Sequence, residues 1–288
     1  MNFNDLSIED GFDFALAFGK ISKDGLVSID FSSQGGFKAP FASVTKLVTA
    51  LALLVAVDDE SVSPEDEVLQ GKCVTVASLL SHSSGIAPDG VPSLTAEDHS
   101  FISPVGRRRI YSNLGYEILA LHLEQVTSMR FQDYVMDAVI VPAGMKGTNF
   151  SSEHFVNGGN GAATGLVGTV DDLVMLVEAM TGPKLLSYRS LSLLSTPYIP
   201  GISGVLPGFG LMKDNQWGLG AEIRDSKSPH WSGVSNSRYT YGHFGRSGSL
   251  VWVDPEIERF MVFLSSRDFG SWSKELWPKL SEYVAQLS

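Results

Sequence analysis

Residues 40–57 read Pro-Phe-Ala-Ser-Val-Thr-Lys-Leu-Val-Thr-Ala-Leu-Ala-Leu-Leu-Val-Ala-Val, and the predicted fold is built around this stretch. Pro40 interrupts the chain, and we expect a helix to start near Ser43. Leu47–Val57 is apolar on nearly all sides, which is typical of a helix buried at the centre of a molecule. The run is too short to cross a bilayer, which takes about 20 residues. The sequence therefore predicts a buried central helix and no association with a membrane.

Extended segments are predicted at both ends of the chain. Phe12–Phe18 and Leu26–Phe31 favour two strands joined by a turn that contains Gly25. Four short segments separated by Gly or Asp-Pro favour strands near the C-terminus, namely Trp217–Ile223, Tyr239–Phe244, Leu250–Asp254 and Phe260–Ser265. A final helix is expected at Trp272–Leu287. We therefore predict an α+β fold whose antiparallel sheet is built from both termini and flanked by helices.

The middle of the chain is predicted to be mainly helical. The expected helices are Val76–Ser81, Leu114–Val126, Phe131–Val139 and Asp171–Met180. No internal repeat or low-complexity linker divides the sequence. We expect residues 1–288 to form one catalytic domain, with an α/β lobe at about 1–60 and 205–288 and a helical lobe at about 61–204.

The composition is that of an acidic globular protein. The chain has 288 residues, 43% of them hydrophobic, and a formal net charge of -11. A nucleic-acid-binding protein normally carries a basic face, whereas here we interpret the short basic run Arg107-Arg108-Arg109 as a solvated loop. The single cysteine, Cys73, excludes an intramolecular disulfide, and we expect its side chain to be buried. We therefore predict no nucleic-acid partner, and the sequence defines no protein partner.

The sequence gives no sign of export or of a cofactor. Met1–Asp10 is polar and acidic and lacks the basic and apolar regions of a signal peptide, so we expect a cytoplasmic protein. No metal and no cofactor is predicted, because none of the histidines has metal-ligand spacing. These histidines are His82, His99, His122, His154, His230 and His243.

Ser43-Val44-Thr45-Lys46 places a hydroxyl and an amine on one face of the predicted helix. A serine hydroxyl is a weak nucleophile and needs a nearby base. Lysine is such a base only when burial or a second cation lowers its pKa, and the apolar helix supplies burial. The helix N-terminus also offers free N–H groups to an oxyanion. Taken alone, a motif this short is more often a helix start with a solvated lysine.

Two further motifs contain groups that suit the same chemistry. Tyr111-Ser112-Asn113 offers a phenol that can carry a proton and an amide that can hold a substrate oxygen, although alone it is more often a surface tyrosine followed by a helix cap. Gly242–Gly248 is rich in glycine around His243, which indicates close approach of the backbone to a ligand, as an oxyanion hole requires. A bulged, glycine-rich hairpin explains that segment equally well.

In their order along the chain, the three motifs resemble those of the serine β-lactamase superfamily. S-x-x-K followed by Ser-Asp-Asn and Lys-Thr-Gly marks class A enzymes and penicillin-binding proteins. The Tyr-x-Asn form is similar to the branch that holds class C β-lactamases, D-Ala-D-Ala carboxypeptidases and family VIII-type carboxylesterases. The resemblance covers about Phe12–Val284, and the matching segments include 79–86, 111–119, 142–145 and 165–173.

This resemblance implies a β-lactamase/transpeptidase-like fold and a set of catalytic roles. Ser43 is expected to be the nucleophile and Lys46 its base or proton shuttle. Tyr111 is expected to be the second proton carrier, and Asn113 to orient the substrate. His82 lies in the Leu-Leu-Ser-His segment, which is structural in the family, so we expect a buried, hydrogen-bonded histidine.

The third motif departs from the family pattern. His243 stands where the family has Lys or His, and it is expected to contact substrate together with Gly245. The resemblance implies that the oxyanion hole is formed by the backbone N–H groups of Ser43 and Arg246. Phe244 replaces a hydroxyl-bearing residue that helps to bind a substrate carboxylate. We therefore expect β-lactamase activity to be weak if present.

The predicted function is that of a serine hydrolase that forms an acyl-enzyme on Ser43. The substrate class is a small ester, amide or peptide, so the protein is expected to be a carboxylesterase or a D-amino-acid peptidase. The alternative is a penicillin-binding or sensing module of the same fold, which is acylated without turnover or turns over slowly. The intact set of Ser43, Lys46, Tyr111 and Asn113 favours the enzyme, because a binding module needs no proton relay.

Overall fold

The structure is a computed structural model that describes residues 11–33 and 36–287. The expectation made for Met1–Asp10 therefore lies outside the described residues. The strands are β1 (Phe14–Ile21), β2 (Val27–Ser32), β3 (Lys38–Pro40), β4 (Glu67–Leu69), β5 (Val74–Thr75), β6 (Asn149–Phe150), β7 (Leu166–Thr169), β8 (Gly204–Leu206), β9 (Gly210–Met212), β10 (Glu222–Ile223), β11 (Tyr241–Phe244), β12 (Leu250–Asp254) and β13 (Arg259–Ser265). The helices are α1 (Thr45–Asp58), α2 (Val76–Leu80), α3 (Asn113–Thr127), α4 (Phe131–Val135), α5 (Val141–Ala143), α6 (Val170–Thr181), α7 (Tyr188–Ser195) and α8 (Ser271–Ala285).

The main sheet joins the two ends of the chain. Within the described residues it has six strands in the order β10-β11-β12-β13-β1-β2, and neighbouring strands are antiparallel. The N-terminal strand β1 pairs with the last strand β13 over seven residue pairs, from Phe14 opposite Ser265 to Lys20 opposite Arg259. This pairing confirms the predicted α+β fold with a sheet built from both termini.

Alternate residues of the central strands supply two separate apolar layers, because successive side chains of a strand point to opposite faces. On one face, Val251 and Val262 join a core cluster that includes nearly all of α1 and parts of α3 and α6. On the other face, Trp252 and Phe263 pack with Trp277 of α8. The predicted central helix is confirmed, since most of the α1 side chains are fully buried. The predicted lobe boundaries stay a prediction.

The described chain differs from the sequence prediction at several elements. Only Glu222–Ile223 of the expected strand Trp217–Ile223 is a strand, and the hairpin β8–β9 and helix α7 were not predicted. Cys73 is exposed rather than buried, because it occupies a tight turn with a positive φ of 56°. No helix in the described part of the chain is long and apolar enough to cross a membrane.

The prediction of a solvated basic loop is wrong for Arg109, whose residue surface is only 2% exposed. Its guanidinium donates hydrogen bonds to the carbonyl oxygens of Ser81 at 2.8 Å, Asn215 at 2.9 Å and Ile199 at 3.0 Å, and also to that of Tyr198. Five N–H donors in a fixed plane suit such a cluster of acceptors. Arg109 therefore ties three loops together.

Arg109→Met should lower the free energy of unfolding by about 3 kcal/mol, because buried carbonyl oxygens lose their donors. Urea denaturation followed by tryptophan fluorescence measures this loss. Arg107→Met is the matched control, since Arg107 is exposed two residues away and its replacement should change stability by less than about 0.5 kcal/mol. Equal stability of the two variants would contradict this account of Arg109.

Candidate active site

Ser43 lies in a single 3-10 turn, Ala42–Val44, between β3 and α1. The strand before it is fixed by pairing with β7, and the Phe41 N–H donates to the Leu166 carbonyl at 2.8 Å. Ala42 has a positive φ of 44°, a region that L-residues with a side chain seldom adopt. Strained backbone of this kind often positions a functional residue. The turn presents Ser43 to a cavity at the entrance of the buried helix.

The Lys46 amine faces the Ser43 hydroxyl, as the spacing of the motif predicts. Lys46 Nζ lies 3.5 Å from Ser43 Oγ. The same nitrogen donates to Asn113 Oδ1 at 2.8 Å and to the Ala163 carbonyl at 3.0 Å. These two acceptors hold the amine in place. The alternative of a solvated lysine is excluded, because Lys46 is fully buried.

Burial lowers the pKa of Lys46 to about 7. The cause is loss of hydration, which penalises the charged amine. The negative charges of Glu117 and Asp89 act in the opposite direction and limit the decrease. Near neutral pH a substantial fraction of Lys46 is therefore the free amine, which is the form that accepts a proton.

Tyr111 and His243 face each other across the site. The Tyr111 hydroxyl lies 3.4 Å from His243 Nε2, and His243 Nδ1 lies 2.7 Å from the Phe244 carbonyl oxygen. Since a carbonyl only accepts, Nδ1 carries the proton and Nε2 accepts from the Tyr111 hydroxyl. Burial, with a smaller effect from the Lys46 charge, lowers the pKa of His243 to about 3. His243 is therefore a neutral acceptor and supplies no positive charge.

Burial raises the pKa of the Tyr111 phenol, and a hydrogen bond with Ser43 offsets only part of this increase. Tyr111 thus remains protonated at neutral pH and is a proton donor rather than a base. Its ring lies 4.9 Å from Lys46 Nζ, measured to the ring centroid. The structure therefore brings together the hydroxyl, the amine and the phenol that the sequence predicted.

Asn113 is the first residue of α3, after the helix cap formed by Ser112. Its side-chain oxygen accepts from Lys46, and its Nδ2 donates to Asp89 Oδ1 at 3.0 Å. The amide is thereby fixed in one orientation at the cavity wall. This position is compatible with the predicted role of Asn113 in orienting substrate.

Gly245 lies at the end of β11, directly against the turn that holds Ser43. A Cβ atom at this position would lie 2.5 Å from the Phe41 carbonyl oxygen and 2.3 Å from Ser249 Oγ, so only glycine fits. The next residue, Arg246, lines the same cavity as Ser43. In the described ranges the Arg246 N–H makes no hydrogen bond within the protein. The oxyanion role of this N–H and that of Ser43 stays a prediction.

The cavity has a volume of about 610 Å³ and is open to the surface along several loops. Phe155 and Val156 form one wall, and Leu206 and Pro207 form another. The Arg246 side chain is exposed at the rim, where its Nε lies 3.9 Å from Asp268 Oδ2. Among the residues that the structure describes, no group of His, Cys, Asp and Glu side chains is arranged to hold a metal ion.

Glu117 is a site residue that the sequence analysis missed. It lies one helical turn after Asn113 and is only 2% exposed. Its carboxylate accepts the backbone N–H groups of Asn160 at 2.7 Å and Ala163 at 2.9 Å. The Ala163 carbonyl in turn accepts from Lys46, so Glu117 fixes the loop that holds the amine. An acidic residue within an apolar helix, four positions after Asn113, was the signal that could have identified it.

His82 has the structural role that the sequence predicted. It is 1% exposed, and its Nδ1 accepts the Ser112 N–H at 3.1 Å. Its ring packs against the rings of Tyr111 and Trp217, with centroid distances of 4.5 Å and 4.7 Å. His82 therefore supports the Tyr111 side chain from behind.

The chain is similar in sequence and fold to several known proteins. The Beta-lactamase family model matches residues 37–285. A crystal structure of a beta-lactamase from Mycobacterium bovis is 37% identical, with 94% of this chain and 93% of that chain covered and a TM-score of 0.82. A D-amino acid amidase from Ochrobactrum anthropi SV3 is 18% identical, with 94% and 90% covered and a TM-score of 0.68, which is a likeness of fold alone.

The match to a curated relative covers only part of each protein. A putative D-alanyl-D-alanine carboxypeptidase from Salmonella enteritidis PT4 is 25% identical in an alignment 206 residues long, and the match covers 56% of this chain and 46% of that protein. The match therefore spans about half the length of the curated relative. Its name describes that protein and not this chain.

The reactivity of Ser43 should increase with pH and level off, with an inflection near pH 7. The reason is that Lys46 loses its proton around its pKa of about 7 and only then accepts the Ser43 proton. The measurement is the rate of covalent labelling by a fluorophosphonate probe between pH 5.5 and pH 9. Lys46→Met should abolish the inflection. A wild-type labelling rate that is constant or decreases over this range would contradict the role of Lys46.

Glu117→Gln should move this inflection to lower pH. Removal of the carboxylate charge removes an effect that raises the Lys46 pKa, so the free amine forms more readily. Glu124→Gln is the matched control, because Glu124 lies two turns further along α3, where it accepts the Phe131 N–H. The same labelling experiment tests both variants, and an inflection at higher pH in Glu117→Gln would contradict the electrostatic coupling.

Proposed function

The chain belongs to the beta-lactamase family, and we propose that it is a serine hydrolase that cleaves a small ester or amide through an acyl-enzyme on Ser43. The observation that carries the proposal is the 3.5 Å contact of Lys46 Nζ with Ser43 Oγ, in a site where burial lowers the lysine pKa to about 7. A nucleophile next to a base that is partly deprotonated at neutral pH is the minimum requirement for acyl transfer.

Acylation begins when the Lys46 amine accepts the proton of the Ser43 hydroxyl. Ser43 Oγ then forms a bond with the substrate carbonyl carbon, and the carbonyl oxygen becomes an oxyanion. The N–H groups of Ser43 and Arg246 are the proposed donors to that oxyanion. The positive charge on Lys46 is shared with Asn113 Oδ1 and the Ala163 carbonyl, which already accept from it.

Collapse of the tetrahedral intermediate breaks the bond to the leaving group. The Tyr111 phenol gives its proton to the leaving oxygen or nitrogen and regains a proton from Lys46, so the site returns to its starting charge. The high pKa of Tyr111 suits this role, because the proton is held until a strong base forms beside it. Water, activated by the same groups, then releases the acyl group from Ser43.

The proposed substrates are neutral esters and amides rather than β-lactams that carry a carboxylate. His243 is neutral, and Phe244 is 8% exposed and packs against Phe269 and Trp277. Positions 243 and 244 therefore supply neither a cation nor a hydroxyl to a substrate carboxylate. The nearby Arg246 side chain is exposed at the rim, where its Nε lies 3.9 Å from Asp268 Oδ2. The similar D-amino acid amidase and D-alanyl-D-alanine carboxypeptidase make D-amino-acid amides and peptides a second group of substrates to test.

Ser43→Ala should abolish hydrolysis of p-nitrophenyl butyrate, and Lys46→Ala should lower kcat/KM about 10²–10⁴-fold through loss of the general base. Release of p-nitrophenolate at pH 8 measures both effects. Ser192→Ala is the matched control, because Ser192 is exposed on α7 and does not line the cavity. Undiminished turnover by Ser43→Ala would overturn the proposal.

The pre-steady-state phase of the same reaction separates the enzyme from a sensing module. If the protein is an enzyme, turnover continues after the first equivalent of product, and protein without an acyl group is recovered when the substrate is exhausted. A single burst followed by a persistent acyl group on Ser43 would instead identify the binding or sensing alternative.

A further inference from the structure

A second cavity of about 460 Å³ adjoins the catalytic one. Tyr111 and Pro207 line both cavities, so the two cavities adjoin at these residues. It lies between the hairpin β8–β9 and the loop that precedes Tyr111. We call this second cavity the side groove.

The side groove is apolar although it is open to solvent. Ile102, Val205 and Leu211 line it and are 59%, 56% and 75% exposed. Val205 and Leu211 are directly opposite each other in the hairpin, so their side chains lie on the same face. Three large apolar side chains that converge on one groove next to a reactive centre favour an apolar ligand, because covering them removes apolar surface from water.

The side groove is preformed by the hydrogen bonds of Arg109. The Arg109 N–H donates to the Ser203 carbonyl at 2.9 Å, and Arg109 forms a parallel bridge with Gly204 at the start of the hairpin. The guanidinium is bound to carbonyl oxygens of the loops on either side. The two walls are therefore held at a fixed separation, and a ligand need not order them.

The charged side chains that line the side groove determine which ligand charge it accepts. Arg108 lines it and is exposed, and in the described part of the chain it has no acidic partner within ion-pair distance. The Arg109 guanidinium is committed to carbonyl oxygens. Among the residues that the structure describes, none of those lining the side groove is acidic. A ligand with a positive charge is thus disfavoured here, whereas a neutral or anionic one is accepted.

We propose that the side groove binds the leaving-group portion of the substrate, and that this portion is an extended apolar group without positive charge. This inference rests on the proposed function, in which the Tyr111 phenol protonates the leaving atom. Tyr111 lines both cavities, so the proposed path of the group attached to that atom runs past Tyr111 into the side groove. The acyl portion then lies in the larger cavity beside Phe155 and Val156.

Acetate esters of alcohols of increasing length test this assignment, because every member of the series forms the same acetyl-enzyme and only acylation differs. We expect kcat/KM to rise about tenfold or more from ethyl to hexyl acetate, as added methylene groups become buried. The double variant Val205→Ser/Leu211→Ser should lose most of this increase. Leu26→Ser/Val234→Ser is the matched control, since both residues are exposed and outside the two cavities.

A second pair of substrates tests the charge preference. Acetylcholine and 3,3-dimethylbutyl acetate have nearly the same shape and differ by one positive charge. The neutral ester should have the higher kcat/KM by about fivefold or more at low ionic strength, and Arg108→Gln should reduce this ratio. Equal rates for the two esters would overturn the charge preference.

The outcomes separate this inference from the proposed function. Fluorophosphonate labelling of Ser43 has fluoride as its leaving group, so it should proceed equally in wild type and in Val205→Ser/Leu211→Ser. Two outcomes would overturn the assignment of the side groove alone, provided that labelling is normal. In the first, kcat/KM does not depend on the length of the alcohol. In the second, kcat/KM depends on the length of the acyl group, and the double variant removes that dependence. Absence of labelling and of ester hydrolysis in wild type would overturn the proposed function, and this inference with it.

Discussion

Placing the Lys46 amine inside an apolar helix costs free energy, and much of the surrounding structure limits that cost. Without acceptors and nearby negative charges, burial would lower the pKa of the amine further. Asn113, Ala163 and the charges of Glu117 and Asp89 partly replace the water that burial removes, and the resulting pKa is about 7. The balance depends on segments distant in sequence. The environment of Lys46 Nζ therefore depends on how β3, α1, α3 and the loop before β7 are placed relative to one another.

The same burial determines the protonation states of His243 and Tyr111. Low solvation and the nearby Lys46 charge keep His243 neutral, and low solvation keeps Tyr111 protonated. Of these three groups only Lys46 changes charge near neutral pH. Groups whose environments move their pKa values apart suit distinct acid and base roles, which favours Lys46 as the proposed base and Tyr111 as the proposed acid. A positively charged residue at position 243 would remove this separation, because a cation beside the phenol lowers its pKa.

Spacing and composition within short stretches of sequence were sufficient to predict the elements that depend on neighbouring residues alone. The apolar run of α1, the strand Leu250–Asp254 and the serine-lysine pair follow from spacing and composition, and the structure confirms them. Residues that act through distant partners escaped prediction. Arg109 belongs to a basic run in sequence, yet its hydrogen-bond acceptors come from loops about 30, 90 and 106 positions away. Glu117 was missed for the same reason, since its carboxylate accepts from the N–H groups of Asn160 and Ala163, which are 43 and 46 positions away.

The sequence His-Phe-Gly of the third motif now has a physical explanation at each position. His243 points into the site as a neutral acceptor for Tyr111, and Phe244 fills the aromatic layer beneath α8. Gly245 lets the strand end approach the Phe41 carbonyl. Phe244 therefore contributes packing rather than a hydroxyl at this position, and His243 contributes no positive charge. On this side of the cavity the proposed hydrolase is therefore expected to select substrates by shape and apolar area, because both ring nitrogens of His243 are already engaged with Tyr111 and the Phe244 carbonyl.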